Sequence, residues 1–193
     1  MNSVSSLPSR TEALNTLRKA GCSKNVINHS LLVEAIATEI ASSIKPKYHI
    51  DLDLVKIGAL LHDIGRSTTH GIKHGSTGAE ILERLGYPDR LVRIARNHVG
   101  AGIPQEEATA LGLSPVDHLP ETIEEKVVCY ADKLVSGNTR VSFEEALTAF
   151  TRDLGPEHPG IERFRNLHRE ILEMMGGGGS GTHASGENSS RKR

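Results

Sequence analysis

Apolar side chains recur every three or four residues along most of the chain, and runs that alternate strictly between apolar and polar positions are nearly absent. A repeat of this length places the apolar side chains on one face of a helix. The predicted helices cover 10–20, 24–45, 52–64, 74–86, 89–98, 105–111, 121–136, 143–154 and 160–175. The pattern therefore predicts an all-α fold, in which the helices pack as a bundle.

Residues that begin and end helices support several of these boundaries. Ser23 precedes the second predicted helix and can cap it, and Pro46 follows its end. Ser142 and Glu145 have the spacing of a capping box, in which each side chain binds the backbone N–H of the other residue. These residues predict where the second and eighth helices begin, independently of the apolar repeat.

The two ends of the chain have a different composition. Residues 176–193 contain six of the nineteen glycines and no large apolar side chain. Such a segment cannot bury enough surface to offset the entropy lost on ordering. The sequence predicts a disordered Gly/Ser-rich tail over 176–193, a flexible N-terminus over 1–8, and one domain over 9–175.

Charge and cysteine content exclude several classes of protein. The 193 residues include 23 Lys and Arg against 24 Asp and Glu, a formal charge of -1, which argues against binding nucleic acid by phosphate neutralisation. Cys22 and Cys129 lie in apolar surroundings without CxxC spacing, which favours reduced, buried thiols over a disulfide. No stretch resembles a signal peptide or reaches the roughly 18 apolar residues of a membrane span. We expect a cytoplasmic protein with neither a membrane nor a nucleic acid as its partner.

Five predicted helices each carry an imidazole or a carboxylate on their apolar face. These polar residues are His29, the adjacent pair His62 and Asp63, His74, His98 and Asp132. Taken singly, a histidine in this setting is more often a hydrogen-bonded core residue than a ligand, and an aspartate can be a buried acceptor or lie at a solvent edge. Together they would be costly to bury unpaired, and a divalent metal is the simplest partner.

The types of ligand restrict the metal. Imidazoles and carboxylates without a thiolate suit Mn, Fe, Co, Ni or Zn better than Ca or Mg. Four protein ligands suffice for one ion, so six suggest two ions that share a carboxylate. Two close ions fit phosphoester hydrolysis, because they deprotonate a shared water and stabilise both oxygens of the displacement.

Four of the six residues resemble the signature of a known family. His29, the HDIG tetrapeptide that begins with His62 and Asp63, and Asp132 within YADKL are similar to the H…HD…D pattern of the HD-domain metal-dependent phosphohydrolases. The resemblance covers residues 24–136. It implies an HD-domain helical bundle in which these four residues bind metal.

The remaining two histidines are similar to those of HD proteins that hold two metals. The segment KHGSTGAEIL, which contains His74, resembles the HPxxGAEIL segment of the HD-GYP cyclic dinucleotide phosphodiesterases. His98 is similar to the histidine that follows in the binuclear proteins. The resemblance implies that all six residues are ligands, that Asp63 bridges the two ions, and that His62 and Asp63 are the catalytic pair.

Departures from the HD-GYP pattern bear on the substrate. Those proteins have two consecutive histidines followed by Glu, whereas Asn97 precedes His98 and Val99 follows it. A cyclic dinucleotide substrate is therefore not favoured. The lysine that often follows HDIG and contacts substrate phosphate is replaced by Arg66, whose guanidinium can bind phosphate bidentately. Lys73 is the second candidate for a phosphate ligand.

The leading hypothesis is a metal-dependent phosphohydrolase that cleaves a phosphate ester of a nucleotide or related small molecule. Two others stay open, because some HD proteins with this ligand set are di-iron oxygenases and an HD module can also bind a nucleotide without catalysis. Lys133 neighbours Asp132 but is rotated by about 100° around the helix, which can point it elsewhere. The predicted helices 143–154 and 160–175 complete the core or form a homodimer contact.

Overall fold

The computed structural model describes residues 6–176. Residues 1–5 and 177–193, and with them most of the predicted flexible N-terminus and disordered tail, lie outside the described part. The described helices are α1 (Arg10–Lys19), α2 (Lys24–Ile44), α3 (Leu52–Leu61), α4 (His74–Arg84), α5 (Asp89–Asn97), α6 (Gln105–Ala110), α7 (Ile123–Lys133), α8 (Phe143–Leu154) and α9 (Pro159–Met175). The antiparallel strands β1 (Val135–Ser136) and β2 (Thr139–Arg140) form a small hairpin. The predicted all-α class is confirmed.

Two predicted helix starts are confirmed by their caps. The Ser23 hydroxyl accepts a hydrogen bond from Val26 N at 3.3 Å at the start of α2. At the start of α8, Glu145 N donates to the Ser142 hydroxyl at 3.2 Å while Ser142 N donates to the Glu145 carboxylate at 2.8 Å. Both interactions satisfy backbone groups that the first turn of a helix leaves unpaired.

The core lies mainly between α2, α3, α5 and α7, which pack against one another. On α2 the predicted apolar face is buried, and its members are Val26, Val33, Ile36, Ile40 and Ile44. Helix α3 is buried almost all round from Leu54 to Leu61. Because His62 and Asp63 directly follow this helix, the chain delivers both polar side chains into the interior.

The chain leaves the α-helix where the sequence predicted it to continue from 52 to 64. Helix α3 ends at Leu61, and a 3₁₀ turn follows over Ile64–Ser67. This turn lies directly on the backbone of α4: a Cβ on Gly65 would come within 2.0 Å of His74 O and 2.6 Å of Gly78 N. Only glycine permits this approach, which places Asp63 beside the first turn of α4.

The predicted helix 121–136 is wrong at both of its ends. Thr122 caps α7, which begins at Ile123 and ends at Lys133. Gly137 then takes a positive φ of 61° and turns the chain between β1 and β2. A two-residue Gly-Asn loop is a known hairpin signal, but strands of two residues are too short to show an alternating pattern.

An aromatic cluster joins the two C-terminal helices to α7. The Phe143 and Phe150 rings of α8 each pack edge-on against Phe164 of α9, with ring centroids 5.2 and 5.5 Å apart. His168 stacks on Phe143 at 3.6 Å and hydrogen-bonds Tyr130 Oη at 2.6 Å. These contacts fix α8 relative to α7. Among the described residues, no helix has the length and apolar character needed to cross a membrane.

Candidate metal centre

The structure brings all six predicted ligands together from five helices or helix ends. Their positions are His29 in the second turn of α2, His62 and Asp63 just after α3, His74 at the start of α4, His98 just after α5, and Asp132 in the last turn of α7. Four of the six follow or begin a helix, where the backbone changes direction. The site therefore depends on how the helix ends meet.

Each of the four imidazoles is oriented by a hydrogen bond from Nδ1 to a main-chain carbonyl oxygen. The pairs are His62 with Ala59 at 2.7 Å, His74 with Gly71 at 2.8 Å, His98 with Ala95 at 2.8 Å and His29 with Gly137 at 3.2 Å. Three of these acceptors lie three residues before their histidine. Because Nδ1 carries the donated proton, the lone pair of Nε2 points into the cluster and can bind a metal.

The two carboxylate oxygens of Asp63 face two different pairs of histidines. Its Oδ1 lies 3.2 Å from His74 Nε2 and 3.4 Å from His98 Nε2. Its Oδ2 lies 3.6 Å from His29 Nε2 and 3.7 Å from His62 Nε2. One carboxylate thus stands between two groups of imidazoles.

Asp132 faces only one of these groups. Its Oδ1 lies 3.0 Å from His29 Nε2 and 3.5 Å from His62 Nε2. Its Oδ2 accepts a hydrogen bond from the ammonium of Lys133. We call His29, His62 and Asp132 the first half-site and His74 with His98 the second half-site, with Asp63 between them.

Two buried polar atoms in the cluster test whether it suits a metal. Neither His62 Nε2 nor Asp63 Oδ1 has a hydrogen-bond partner among the described residues. In the second half-site, His74 Nε2 and His98 Nε2 lie 2.9 Å apart although Nδ1 of each ring already donates elsewhere. Facing lone pairs and unpaired buried acceptors are costly without a partner. A divalent transition metal satisfies them, so the residues fit such an ion.

The charge states of Asp63, Asp132 and His98 favour metal binding. At His62 burial lowers the pKa, but the carboxylates of Asp63 and Asp132 outweigh burial and raise it, so a metal would have to displace a proton there. Burial raises the pKa of the carboxyls of Asp63 and Asp132, but the nearby cationic and hydrogen-bonding groups outweigh burial and hold both well below their usual range. Burial, together with the neighbouring His62 and His74, lowers the pKa of His98 to about 4. The cluster therefore offers two anionic carboxylates and a neutral imidazole at His98, which are the forms that bind metal.

A cleft of about 820 Å³ opens onto the first half-site. His29, Asp63 and Asp132 line it together with two cations, Arg66 and Lys133. The Arg66 guanidinium donates from Nε to Asp63 Oδ2 at 2.6 Å, while Lys133 binds the other carboxylate. Both cations are placed where an anionic ligand of the cleft would reach them.

The structure places the two lysines near the cluster differently from the sequence expectation. Lys73 precedes α4, is exposed, and is not among the residues that line this cleft. Lys133 does line it, although its position on α7 is rotated from that of Asp132. The helical rotation was a poor guide to the direction of the Lys133 side chain, because this side chain has a flexible four-carbon stem and because α7 ends at this residue. Adjacency to a buried aspartate was the usable signal.

The fold and the cluster define a helical domain with a candidate metal centre. A family model described as the HD domain matches residues 26–137, more than half of the chain. The chain therefore belongs to the HD-domain family.

Two curated relatives are similar over most of the chain. An uncharacterized protein of Methanocaldococcus jannaschii is 49% identical over 165 residues, which are 85% of this chain and 97% of the relative. A protein of Thermoplasma volcanium named tRNA (cytidine(56)-2'-O)-methyltransferase is 42% identical over 173 residues, 90% of this chain. The chain spans about half the length of that methyltransferase, 49%.

One solved structure resembles the fold. It is the HD domain of the L. monocytogenes phosphodiesterase PgpH in complex with cyclic-di-AMP, with a TM-score of 0.52 and 17% identity. The match covers 86% of this chain and 96% of that one. At this identity the likeness concerns the HD-domain helical fold alone.

Proposed function

We propose that the protein hydrolyses a phosphate ester of a nucleotide or a related small molecule with the help of bound divalent metal. The observation that carries the proposal is the position of Asp63, whose two carboxylate oxygens face two separate pairs of imidazoles. Such a carboxylate is suited to bridge two ions. A pair of close ions suits hydrolysis of phosphate esters.

Each half-site would hold one ion. His29, His62 and Asp132 would bind the first, His74 and His98 the second, and Asp63 would contribute one oxygen to each. When bound, such ions act as Lewis acids towards phosphate and lower the pKa of water. Mn, Fe, Co and Ni suit the donor set, and Zn is also compatible with it. As the sequence predicts, Asp63 and His62 are the proposed catalytic residues, with Asp63 orienting the attacking water.

Two cations of the cleft would hold the phosphate. Arg66 and Lys133 form ion pairs with Asp63 and Asp132. Once bound metal balances the charges of these carboxylates, the guanidinium and the ammonium are available to the phosphate oxygens. Lys73, the other phosphate ligand proposed from the sequence, is exposed outside the cleft, which does not support that role.

The relatives suggest two classes of phosphate ester. The PgpH domain is described in complex with cyclic-di-AMP, which supports a nucleotide. The methyltransferase of Thermoplasma volcanium is named for a tRNA substrate, which makes RNA the second candidate. The formal charge of -1 favours the small nucleotide, because RNA binding commonly uses an excess of Lys and Arg.

A substrate screen tests the proposal. Purified protein loaded with Mn, Co, Ni or Fe is incubated with nucleotides, dinucleotides and a short RNA, beside the double variant His62→Ala, Asp63→Ala. We expect phosphate ester cleavage by the wild type and none by the double variant. Equal turnover in the two proteins for every ester, with nucleotide binding retained, would support the non-catalytic module instead.

The oxygenase alternative needs a separate measurement. A hydrolase should work without O₂ when loaded with Mn or Co, whereas an oxygenase depends on iron and O₂. Anaerobic purification followed by metal analysis and iron spectroscopy separates the two. Formation of a homodimer, which size-exclusion chromatography with light scattering measures, stays a prediction.

A further inference from the structure

Helix α8 forms a wall of the cleft that the family match does not include. The match ends at residue 137, and α8 begins at Phe143. Ala146, Ala149, Phe150 and Asp153 of this helix line the cleft, at a spacing that puts them on one face. The sequence predicts that this helix completes the core or forms a dimer contact. Its aromatic side chains do pack against the core. The face that lines the cleft beside the metal centre is in addition available to a substrate.

The middle of this wall is apolar. The side chains of Ala146 and Ala149 are small and leave space in the cleft beside α8. The ring of Phe150 lies next to them. The ring is held in place by its edge-on contact with Phe164 at 5.5 Å. A cleft of about 820 Å³ falls within the range of about 300–1,000 Å³ of small-molecule sites. It has room for an organic group as well as for phosphate.

The charges of the cleft are divided between its walls. Arg66 and Lys133 lie on the wall that carries the metal centre. The charged residues of α8 that line the cleft are both acidic, Glu145 and Asp153. A phosphate at the metal centre meets positive charge. A second phosphate beside α8 meets the carboxylates of Glu145 and Asp153, of which Asp153 is paired at 3.0 Å with Arg152, a residue that does not line the cleft.

We infer that the α8 face binds the uncharged, flat organic group of a mononucleotide and disfavours substrates with a further phosphate on that side. The inference rests on the proposed function, because the same metal centre fixes the phosphate. It names the class of substrate: a nucleoside carrying phosphate at one end, rather than a segment of RNA. Helix α8 acts as the specificity wall.

The first experiment measures the apolar part of the wall. The Mn-loaded protein is titrated calorimetrically with the four nucleoside 5′-monophosphates, as the wild type and as the variant Ala149→Leu. Thr148→Leu is the control, because Thr148 is exposed and does not line the cleft. We expect Ala149→Leu to weaken nucleotide binding by about tenfold, equivalent to about 1.4 kcal/mol. Thr148→Leu should bind as the wild type does. Manganese binding and Tm, measured on both variants, report whether each is folded.

The second experiment measures the charge. Affinities for nucleoside 5′-monophosphates and 3′,5′-bisphosphates are compared in the wild type, in the double variant Glu145→Gln, Asp153→Asn, and in Glu144→Gln, whose residue is exposed and does not line the cleft. Gln keeps the capping-box geometry at position 145. We expect the wild type to bind the monophosphate more tightly than the bisphosphate. The double variant should reduce this preference by about threefold or more, because the repulsion removed with each carboxylate changes the affinity by less than tenfold. Glu144→Gln should leave it unchanged.

Failure of the inference differs from failure of the proposed function. Absence of monophosphate binding, a wild-type preference for the bisphosphates, or equal binding by the Ala149 and Thr148 variants overturns the role of α8, even if simple esters such as p-nitrophenyl phosphate are hydrolysed. If Ala149→Leu weakens binding as expected but no ester is cleaved, the proposed role of α8 in binding is supported and the proposed hydrolase function is wrong.

Discussion

The two half-sites differ in exposure and in charge. The first faces the cleft, with 16% of the His29 side chain and 14% of the Asp132 side chain exposed. The second is enclosed: 7% of the His74 side chain and 2% of the His98 side chain are exposed, and neither residue lines the cleft. The first half-site also has a carboxylate of its own, whereas the second has only the shared Asp63. An ion in the second half-site therefore depends on Asp63 and on the packing of the surrounding backbone.

From this difference we expect the two half-sites to have different roles. Two residues of the first half-site, His29 and Asp132, line the space that a substrate would occupy, so we expect them to act on binding and chemistry. The second is built by close packing, because the 3₁₀ turn that contains Gly65 lies on the first turn of α4. We expect the second ion to be the more sensitive of the two to changes in packing.

The largest effect should come from Asp63→Asn, which removes the charge shared by the half-sites. We expect the second ion to be lost, the first to bind more weakly through His29, His62 and Asp132, and hydrolysis to fall by about a thousandfold, the upper range for removing one preorganised electrostatic group. Inductively coupled plasma analysis measures the metal content. Asp53→Asn, at an exposed carboxylate on α3, is the matched control and should change neither quantity. If the Asp63 variant kept both ions at full occupancy, the shared carboxylate would hold neither of them.

The six residues of the cluster were largely predictable from the sequence, and the reason is chemical. His29, His62, Asp63 and Asp132 interrupt long apolar stripes, and burial of such residues needs a partner. The phase of each helix was enough to bring them together. The predicted starts of α2 and α8 were confirmed because Ser23 and Ser142 bind the backbone locally. Local interactions of this kind are written in a few consecutive residues.

Features that depend on distant contacts were not predictable. The orientation of His29 requires the carbonyl of Gly137, which lies 108 residues away in a hairpin. The place of α8 beside the cleft requires the contact between Phe150 and Phe164 of another helix. Neither pairing leaves a pattern in the adjacent sequence. The direction of the Lys133 side chain likewise followed from the end of α7 rather than from its helical phase.

Single histidine variants should separate the half-sites. We expect His29→Ala to lose the first ion and His98→Ala to lose the second, each retaining the other. In the absence of metal, we expect His98→Ala to lower the free energy of unfolding by about 2 kcal/mol, because it leaves a cavity in the enclosed half-site. His29→Ala should lower it by less than about 1 kcal/mol, because His29 is more exposed. Metal stoichiometry and urea denaturation in EDTA give the two quantities. Equal losses of stability would contradict the contrast in burial.

A packing change should affect the second half-site selectively. In Gly65→Ala the new methyl group meets the backbone of His74, and we expect a loss of about 1–3 kcal/mol of stability from overpacking. Displacement of α4 should weaken the second ion more than the first. Gly71→Ala is the control, because a Cβ there meets nothing within 4 Å. Thermal denaturation and metal titration on both variants decide whether packing or ligand identity holds the second ion.

The smallest expected effect concerns the lysine that accompanies each half-site. Lys133 follows Asp132 of the first half-site and lines the cleft, whereas Lys73 precedes His74 of the second and is exposed outside it. We expect Lys133→Met to weaken binding of inorganic phosphate to the Mn-loaded protein by about tenfold, the value of one charge-assisted hydrogen bond. Lys73→Met should leave it unchanged, and Lys133→Arg should restore part of the loss because the charge is kept. Isothermal titration with phosphate measures all three. A larger effect at Lys73 would mean that phosphate approaches from the side of the second half-site, and the proposed binding of phosphate in the cleft would then be wrong.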